Sequence, residues 1–168
     1  MHDNQAAHTT PENGKANISN EGKEQTEQEV SVHSLYQMGG RAQPAQHILL
    51  VEDDPTLANL EAEILTAHGY SVVTVHSGEL AVLTLRHSIP DLVVLDLELT
   101  GTSQGWDVLQ ELRTLTSIPV LITSSSATTA RKYMQSSGET RLTLDHLPKP
   151  YPMQTLLKRV KRILPPLY

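Results

Sequence analysis

HILLVEDDP, residues 47–55, joins four consecutive apolar residues directly to three acids and a proline. An unbroken apolar run of this kind is typical of a strand that is buried on both faces, as in a parallel sheet covered by helices. Asp54 followed by Pro55 is a typical helix start, with the acid at the N-cap and the proline at the first helical position. We therefore predict a buried strand, a group of carboxylates at its end, and a helix that begins at Pro55.

The rest of the chain repeats this alternation of a short apolar strand with an amphipathic helix. The predicted strands are residues 48–51, 71–75, 92–95, 119–122 and 142–147, and the predicted helices are residues 55–68, 79–87, 106–115, 127–137 and 153–163. Strands that alternate with helices imply right-handed crossovers and an α/β fold with a doubly wound, five-stranded parallel sheet, (βα)5. On the first helix, we expect the core-facing stripe to be Leu57, Leu60, Ile64 and Leu65.

Composition limits the class of protein. The chain has 168 residues, no cysteine, and 13 Lys and Arg against 19 Asp and Glu, for a net charge of −6. Disulfides and thiolate zinc sites are thereby excluded, and no overall positive field favours nucleic acid or an anionic membrane. The N-terminus lacks the basic start and apolar core of a signal peptide, and no apolar run could span a bilayer, so we expect a cytoplasmic protein.

The chain divides into regions of different composition. Residues 1–45 are polar, with almost no hydrophobic periodicity, which predicts a disordered extension, apart from residues 30–36 (VSVHSLY), which could form a short element or dock on a surface. Residues 46–165 are the predicted folded domain, and residues 166–168 form a short tail. Because so few residues follow the last helix, we expect no output domain after the folded part.

Polar side chains follow the predicted strands at the point where each strand ends. Glu52 and Asp53 follow the first strand, Asp96 the third, hydroxyls at residues 123–126 the fourth, and Lys149 the fifth. In open parallel sheets the carboxyl ends of the strands form the binding crevice, so these groups are expected to converge. Clustered carboxylates suit Mg²⁺, a lysine and a hydroxyl suit a phosphoryl group, and an aspartate can act as a nucleophile and become an aspartyl phosphate.

Four motifs in this order resemble the receiver domains of two-component response regulators. They are ILLVEDDP, PDLVVLDLELTG, IPVLITSSS and LPKPY, and the resemblance covers roughly residues 47–164. It implies a CheY-like, flavodoxin-like fold in a single-domain response regulator. Such a protein is a phosphoacceptor that catalyses its own phosphotransfer and dephosphorylation, and it is not an enzyme with a separate substrate.

The resemblance also implies a role for each residue of the crevice. Asp96 takes the position of the phosphoacceptor, and Lys149 that of the lysine that pairs with its carboxylate and then with the phosphoryl oxygen. Glu52 and Asp53 take the positions of the Mg²⁺-binding acids, which act together with Asp96 and the backbone carbonyl of Glu98. The Glu98 side chain is interpreted as a flexible anion that hinders the water that hydrolyses the aspartyl phosphate.

The switch residues follow from the same resemblance. Ser124 takes the position of the switch hydroxyl, with Thr123 as the alternative if the strand is offset by one residue. His146 takes the position of the aromatic residue that swings inward when the hydroxyl engages phosphate. Thr100 replaces a proline of the family pattern, and the loop up to Gly105 is one residue longer than usual, so this loop is expected to lie differently over the site.

The resemblance implies protein partners. The phosphodonor is expected to be a histidine kinase or a histidine phosphotransfer protein, and a downstream protein is expected to bind residues 127–164. We expect no direct nucleic-acid binding, and a monomer or weak dimer. Two alternatives stay open: a receiver-like interaction module that no longer signals by phosphorylation, and a small Mg²⁺-dependent phosphatase with Asp96 as nucleophile and Glu98 as acid/base.

Overall fold

A computed structural model describes residues 45–165, in which five strands alternate with five helices. The elements in chain order are β1 His47–Val51, α1 Pro55–Ala67, β2 Ser71–Val75, α2 Gly78–His87, β3 Leu92–Asp96, α3 Gly105–Leu115, β4 Val120–Ser124, α4 Ala127–Ser137, β5 Leu144–Pro148 and α5 Met153–Ile163. Three predictions concern residues outside this range. They are the disordered extension at residues 1–45, of which only the last residue is described, the short element at residues 30–36, and the tail at residues 166–168.

All five strands are parallel and form one sheet in the order β2-β1-β3-β4-β5. The predicted doubly wound α/β fold is therefore confirmed. The strand order reverses direction between β1 and β3, and this topological switch point is where open α/β sheets bind ligands. The register sets Val51 beside Leu95 and Asp96 beside Thr123, which brings the ends of β1, β3 and β4 to the same edge.

Two apolar layers cover the sheet because successive strand residues point to opposite faces. Ile48 and Leu50 pack on one face in a cluster that includes Leu65 of α1 and Val160 of α5. The opposite face packs against α2, α3 and α4, through residues such as Leu85, Leu109, Leu112 and Ala130. Burial on both faces explains why β1, β3 and β4 read as continuous apolar runs rather than as alternating patterns.

The core-facing stripe of α1 differs from the prediction. Its buried residues are Ala58, Glu61 and Leu65, whereas Leu60 is 49% exposed and Leu57 and Ile64 are only partly buried. The true stripe has helical spacing, but it contains a small residue and an acid that a search for large apolar side chains does not register. The helix is therefore rotated from the predicted orientation, and a carboxyl group faces the core.

The predicted N-cap of α1 is confirmed. Asp54 has extended backbone angles, and its Oδ1 accepts hydrogen bonds from Thr56 N at 2.8 Å and Leu57 N at 3.2 Å. Pro55 occupies the first helical position, where its missing N–H is no loss.

At the other end of the domain, β5 begins at Leu144, two residues later than predicted. None of the described helices is long and apolar enough to cross a membrane.

Candidate functional site

Three carboxylates meet at the carboxyl edge of the sheet. Glu52 and Asp53 follow β1, Asp96 ends β3, and one oxygen from each lies within 4.8 Å of the others. Glu52 and Asp96 are each only 2% exposed, whereas Asp53 is partly exposed. Burial raises the pKa of Glu52, and the nearby Asp96 carboxylate raises it further. The cluster is thus a place where negative charge is unfavourable unless a cation is close.

Lys149 supplies one cation to this cluster. Its Nζ donates to Glu52 Oε2 at 3.0 Å and to Asp96 Oδ2 at 2.9 Å. Burial alone would lower the pKa of Lys149, but the hydrogen bonds to the two carboxylates raise it, so the ammonium stays charged. The residue is held at the end of β5 by a hydrogen bond from its backbone N–H to Ser124 O at 2.9 Å, and the Lys149–Pro150 peptide bond is cis.

Asp53 faces the opening of the crevice. Its Oδ2 accepts a hydrogen bond from Thr100 N at 2.9 Å, and this contact lowers the pKa of the carboxyl. Three carboxylates and one ammonium leave two excess negative charges, all on hard oxygen donors. That charge and that donor set fit a divalent cation such as Mg²⁺. The residues present at this edge of the sheet therefore fit the predicted metal.

The exposed Glu98 side chain reaches the loop that follows β4. Its carboxylate accepts hydrogen bonds from Ser125 N at 2.8 Å and Ser125 Oγ at 2.9 Å. Its backbone N–H donates to Asp96 Oδ1 at 3.0 Å. A carboxylate that accepts two hydrogen bonds from one residue loses much of its rotamer freedom. Glu98 consequently connects the loop after β3 to the loop after β4, across the crevice.

The hydroxyl of Ser124 lies against His146. Ser124 is the last residue of β4 and is 1% exposed, and its Oγ lies 3.2 Å from His146 Nε2 and 3.4 Å from Ser126 O. Burial lowers the pKa of His146, so its ring is neutral at pH 7 and can share a proton with the hydroxyl. Thr123 is equally buried but points to the other face of the sheet, because neighbouring strand residues alternate.

The loop between β3 and α3 is held over the crevice by Glu79, which the sequence analysis did not single out. The Glu79 carboxylate accepts hydrogen bonds from Thr102 Oγ1 and from Ser103 N, the latter at 2.9 Å. These contacts, led by Thr102, lower the pKa of Glu79 to about 2. The loop ends at Gly105, where a Cβ atom would lie 2.2 Å from Asp96 O, so no larger residue fits without moving the end of β3.

A second buried carboxyl lies on the α1 side of the sheet. Glu61 is 1% exposed, and its Oε1 accepts a hydrogen bond from Tyr151 Oη. Its Oε2 has no hydrogen-bond partner among the described residues. Burial raises the pKa of Glu61 to about 7 and that of Tyr151 far above its ordinary value. The sequence offered one signal for this pair, since Glu61 shares a helical stripe with Ala58 and Leu65.

Comparison with known proteins supports one family. The model of the response regulator receiver domain matches residues 48–161. The chain is 34% identical over 117 residues to the transcriptional regulatory protein CpxR of Klebsiella pneumoniae, over 70% of this chain and 48% of that protein. It is 32% identical over 118 residues to the DNA-binding response regulator MtrA of Mycolicibacterium smegmatis, over 69% of this chain and 49% of that protein. The chain thus spans about half the length of the curated relatives it matches.

Solved structures give the same result. The receiver domain of the hybrid histidine kinase CckA superposes with a TM-score of 0.57 at 30% identity, over 70% of this chain and 98% of that one. The receiver domain of the sensor histidine kinase PA1611 of Pseudomonas aeruginosa, described with a magnesium ion coordinated in its active site cleft, superposes with a TM-score of 0.60 at 25% identity, over 70% and 96% of the two chains. The protein therefore belongs to the family of response regulator receiver domains.

Proposed function

We propose that Asp96 accepts a phosphoryl group from a phosphohistidine donor in a Mg²⁺-dependent reaction. Receiver domains are in general phosphoacceptors that also promote their own dephosphorylation, and membership of this family supports the proposal. The observation that carries the specific proposal is the buried Asp96 carboxylate, which lies beside Glu52 and Asp53 and accepts a hydrogen bond from Lys149 at 2.9 Å. A buried acid with this pairing, in a crevice, is typical of a functional site.

The chemistry that we propose is one displacement at phosphorus. A carboxylate oxygen of Asp96 forms a bond to phosphorus while the phosphorus–nitrogen bond of the donor breaks, and the departing imidazole nitrogen takes up a proton. The Lys149 ammonium stabilises the charge on the phosphoryl oxygens. The Glu52, Asp53 and Asp96 carboxylates and the Glu98 carbonyl would hold Mg²⁺, which when bound would neutralise charge on the phosphoryl group. Attack of water on phosphorus later releases inorganic phosphate and restores the carboxylate.

The signal that we propose passes from the phosphoryl group to the surface formed by α4, β5 and α5. In the unphosphorylated state described here, Ser124 Oγ contacts His146 Nε2 at 3.2 Å. When Ser124 donates its proton to a phosphoryl oxygen instead, His146 loses this partner and changes position. Because His146 belongs to β5, the change reaches residues 127–164, where we propose that the downstream protein binds. The phosphodonor is a histidine kinase or a histidine phosphotransfer protein.

The test is incubation with Mg²⁺ and a small-molecule phosphodonor such as acetyl phosphate, followed by intact-mass analysis. We expect one added phosphoryl group on the wild type and none on Asp96→Asn, and none on either protein when Mg²⁺ is removed with a chelator. Labelling that persists in Asp96→Asn would overturn the assignment of the phosphoacceptor. Multiple turnover of a generic phosphomonoester would instead indicate a phosphatase.

A further inference from the structure

Asp53 is held differently from the other two carboxylates of the crevice. Among residues 45–165, the ion pairs of Lys149 are with Glu52 and Asp96, which are both buried. Asp53 is partly exposed at the mouth of the crevice. A side chain partly in water keeps several orientations unless a contact selects one of them. The contact that selects the orientation of Asp53 therefore decides how well the three carboxylates act together on one cation.

Thr100, in the loop between β3 and α3, supplies this contact. Its backbone N–H donates to Asp53 Oδ2 at 2.9 Å. The hydroxyl and the N–H of Thr100 both lower the pKa of Asp53, the hydroxyl more strongly, so both favour the charged carboxylate that a metal requires. The N–H engages Oδ2 alone, and a carboxylate has two oxygens, so the hydrogen bond leaves Asp53 able to bind a cation.

Both donors exist because residue 100 is not a proline. The receiver pattern has a proline at this position, where this chain has Thr100. Proline has neither a backbone N–H nor a hydroxyl, so it cannot donate a hydrogen bond to Asp53. The contact between Thr100 and Asp53 is therefore a property of this chain's own sequence, and the family pattern does not supply it.

The loop holds Thr100 between two anchored positions. On one side, Glu98 N donates to Asp96 Oδ1 at 3.0 Å, which ties the start of the loop to the end of β3. On the other side, Ser103 N donates to Glu79 Oε1 at 2.9 Å, which ties the loop to the first turn of α2. Because only one or two residues separate Thr100 from each anchor, its donors have little freedom to leave the carboxylate that they contact.

We infer that Thr100 is a positioning residue that fixes Asp53 and thereby makes the crevice selective for Mg²⁺ over Ca²⁺. Mg²⁺ requires near-ideal octahedral geometry at about 2.0–2.1 Å, whereas Ca²⁺ accepts flexible geometry at about 2.3–2.6 Å. A carboxylate held in one orientation helps the strict ion, while the adaptable ion tolerates a mobile carboxylate. This inference rests on the proposed function only for the presence of a divalent cation in the crevice.

A purely structural role for Thr100 makes a different prediction. If Thr100 only stabilised the loop, its loss would weaken the binding of both ions alike, since both use the same three carboxylates. If Thr100 orients Asp53, its loss weakens Mg²⁺ binding more than Ca²⁺ binding. The ratio of the two dissociation constants therefore separates the two roles.

The test uses the full chain and three substitutions that remove the donors in steps. Thr100→Ser keeps the hydroxyl and the N–H, Thr100→Ala keeps only the N–H, and Thr100→Pro removes both. MgCl2 or CaCl2 is titrated at constant ionic strength, and the amide chemical shifts of residues around the crevice give the dissociation constant of each ion.

We expect the Mg²⁺ dissociation constant to rise by about threefold in Thr100→Ala and by about tenfold in Thr100→Pro. The Ca²⁺ dissociation constant should change by less than about twofold in both variants. Thr100→Ser should keep the wild-type values for both ions. Because proline also restricts the backbone, the comparison of Thr100→Ala with Thr100→Ser decides the result.

Thr102→Ala is the matched control, because it removes a hydroxyl from the same loop while Ser103 N keeps its contact with Glu79. It should leave the ratio of the two dissociation constants as it is in the wild type. An equal shift of the ratio in Thr102→Ala would overturn the inference. An equal loss of affinity for both ions in Thr100→Ala, or tighter Mg²⁺ binding in that variant, would also overturn it.

Phosphorylation by acetyl phosphate is measured by intact mass on the same samples, which separates this inference from the proposed function. A shifted ratio in Thr100→Ala, in a protein whose Asp96 incorporates no phosphoryl group, would support the role of Thr100 and reject the proposed function. Normal labelling of Asp96 with an unchanged ratio would reject only the role of Thr100. A wild type that binds neither ion would reject both.

Discussion

Glu52, Asp53 and Asp54 are consecutive acids, but each has a different partner. Glu52 is buried and accepts a hydrogen bond from Lys149 Nζ at 3.0 Å, and Asp53 accepts one from Thr100 N at the mouth of the crevice. Asp54 turns away from the site and caps α1. The repulsion among these three consecutive carboxylates is therefore reduced, because the Asp54 carboxylate caps α1 and does not join the cluster of Glu52, Asp53 and Asp96.

This division predicts different outcomes for neighbouring substitutions. Asp54→Ala should lower the free energy of unfolding by about 1 kcal/mol, because two N–H groups of α1 lose their acceptor, while Mg²⁺ affinity stays the same. Asp53→Asn should leave stability almost unchanged and weaken Mg²⁺ binding by at least about tenfold. Urea unfolding gives the stability, and the fluorescence of Trp106, the single tryptophan, gives a signal beside the crevice for the Mg²⁺ titration. Similar Mg²⁺ affinities in the two variants would contradict the assignment.

The hydrogen-bonded Glu98 carboxylate leads to a second prediction at this scale. Because it accepts two hydrogen bonds from Ser125, this carboxylate has a defined position near Asp96, the proposed phosphoacceptor, and we expect it to hinder the water that attacks the aspartyl phosphate. Glu98→Ala should speed dephosphorylation by about fivefold, the equivalent of one net hydrogen bond. Ser125→Ala is the graded control, since it removes the Oγ contact and keeps the backbone one, and its rate should lie between. Measuring phosphate release after removal of the donor tests this, and unchanged rates would exclude Glu98 from the mechanism.

At the scale of the elements, the strands were predictable and one helix face was not. Strands buried on both faces have continuous apolar runs, so β1, β3 and β4 could be located in the sequence from these runs alone. The orientation of α1 could not, because its buried stripe contains Glu61 while Leu60 is exposed. The energetic reason for that stripe, a hydrogen bond from Tyr151 Oη, comes from a residue 90 positions away in the chain.

In the candidate site too, contacts between residues distant in the sequence could not be predicted. Residues at strand ends were predictable because parallel strands bring their carboxyl ends to one edge, and the structure gathers Glu52, Asp53, Asp96 and Lys149 there. The contacts of Glu79 with the loop after β3 were not predictable. They join elements through side chains that have no fixed spacing in the sequence, and only the packed structure shows them.

The junction of β3 and α3 supplies a prediction for an element. A Cβ at Gly105 would lie 2.2 Å from Asp96 O and 2.5 Å from Leu97 Cα, so Gly105→Ala must displace backbone. We expect a loss of about 2–3 kcal/mol in the free energy of unfolding and slower phosphorylation of Asp96. Gly69→Ala is the control: its φ of +90° strains alanine, but nothing lies within 4 Å of the added atom. It should cost about 1 kcal/mol and leave phosphorylation unchanged, as thermal unfolding and intact mass can test.

Across the described domain, charge is distributed in two distinct ways. The crevice concentrates carboxylates around one lysine, while residues 127–165, which form α4, β5 and α5, carry eight basic against two acidic residues. Ser124 ends β4 at the carboxyl edge of the sheet and His146 lies in β5, so the contact between them links that edge to the surface formed by α4, β5 and α5. Glu61 lies close enough to the crevice for the charges of Glu52, Lys149 and Asp96 to act on its pKa. It is buried against the face of the sheet that α1 and α5 cover, so its effect is expected in the stability of the whole domain.

Glu61→Gln tests that effect through pH. Burial raises the pKa of Glu61 from 4.5 to about 7, so the folded protein binds this proton more tightly than the unfolded chain does. Between these values the unfolded chain ionises first, and wild-type stability should fall as pH rises, by roughly 3 kcal/mol at most, and then level off above pH 7. Glutamine cannot ionise, so the stability of Glu61→Gln relative to wild type should increase over that window. Urea unfolding at about pH 5 and at about pH 8 measures this difference.

Glu63→Gln is the control, an exposed change on the same helix. It should differ from wild type by less than about 0.5 kcal/mol at both pH values. A constant difference between Glu61→Gln and wild type would mean that Glu61 is already ionised in the folded protein, and that the unpartnered Oε2 is stabilised by a cation or water at this place.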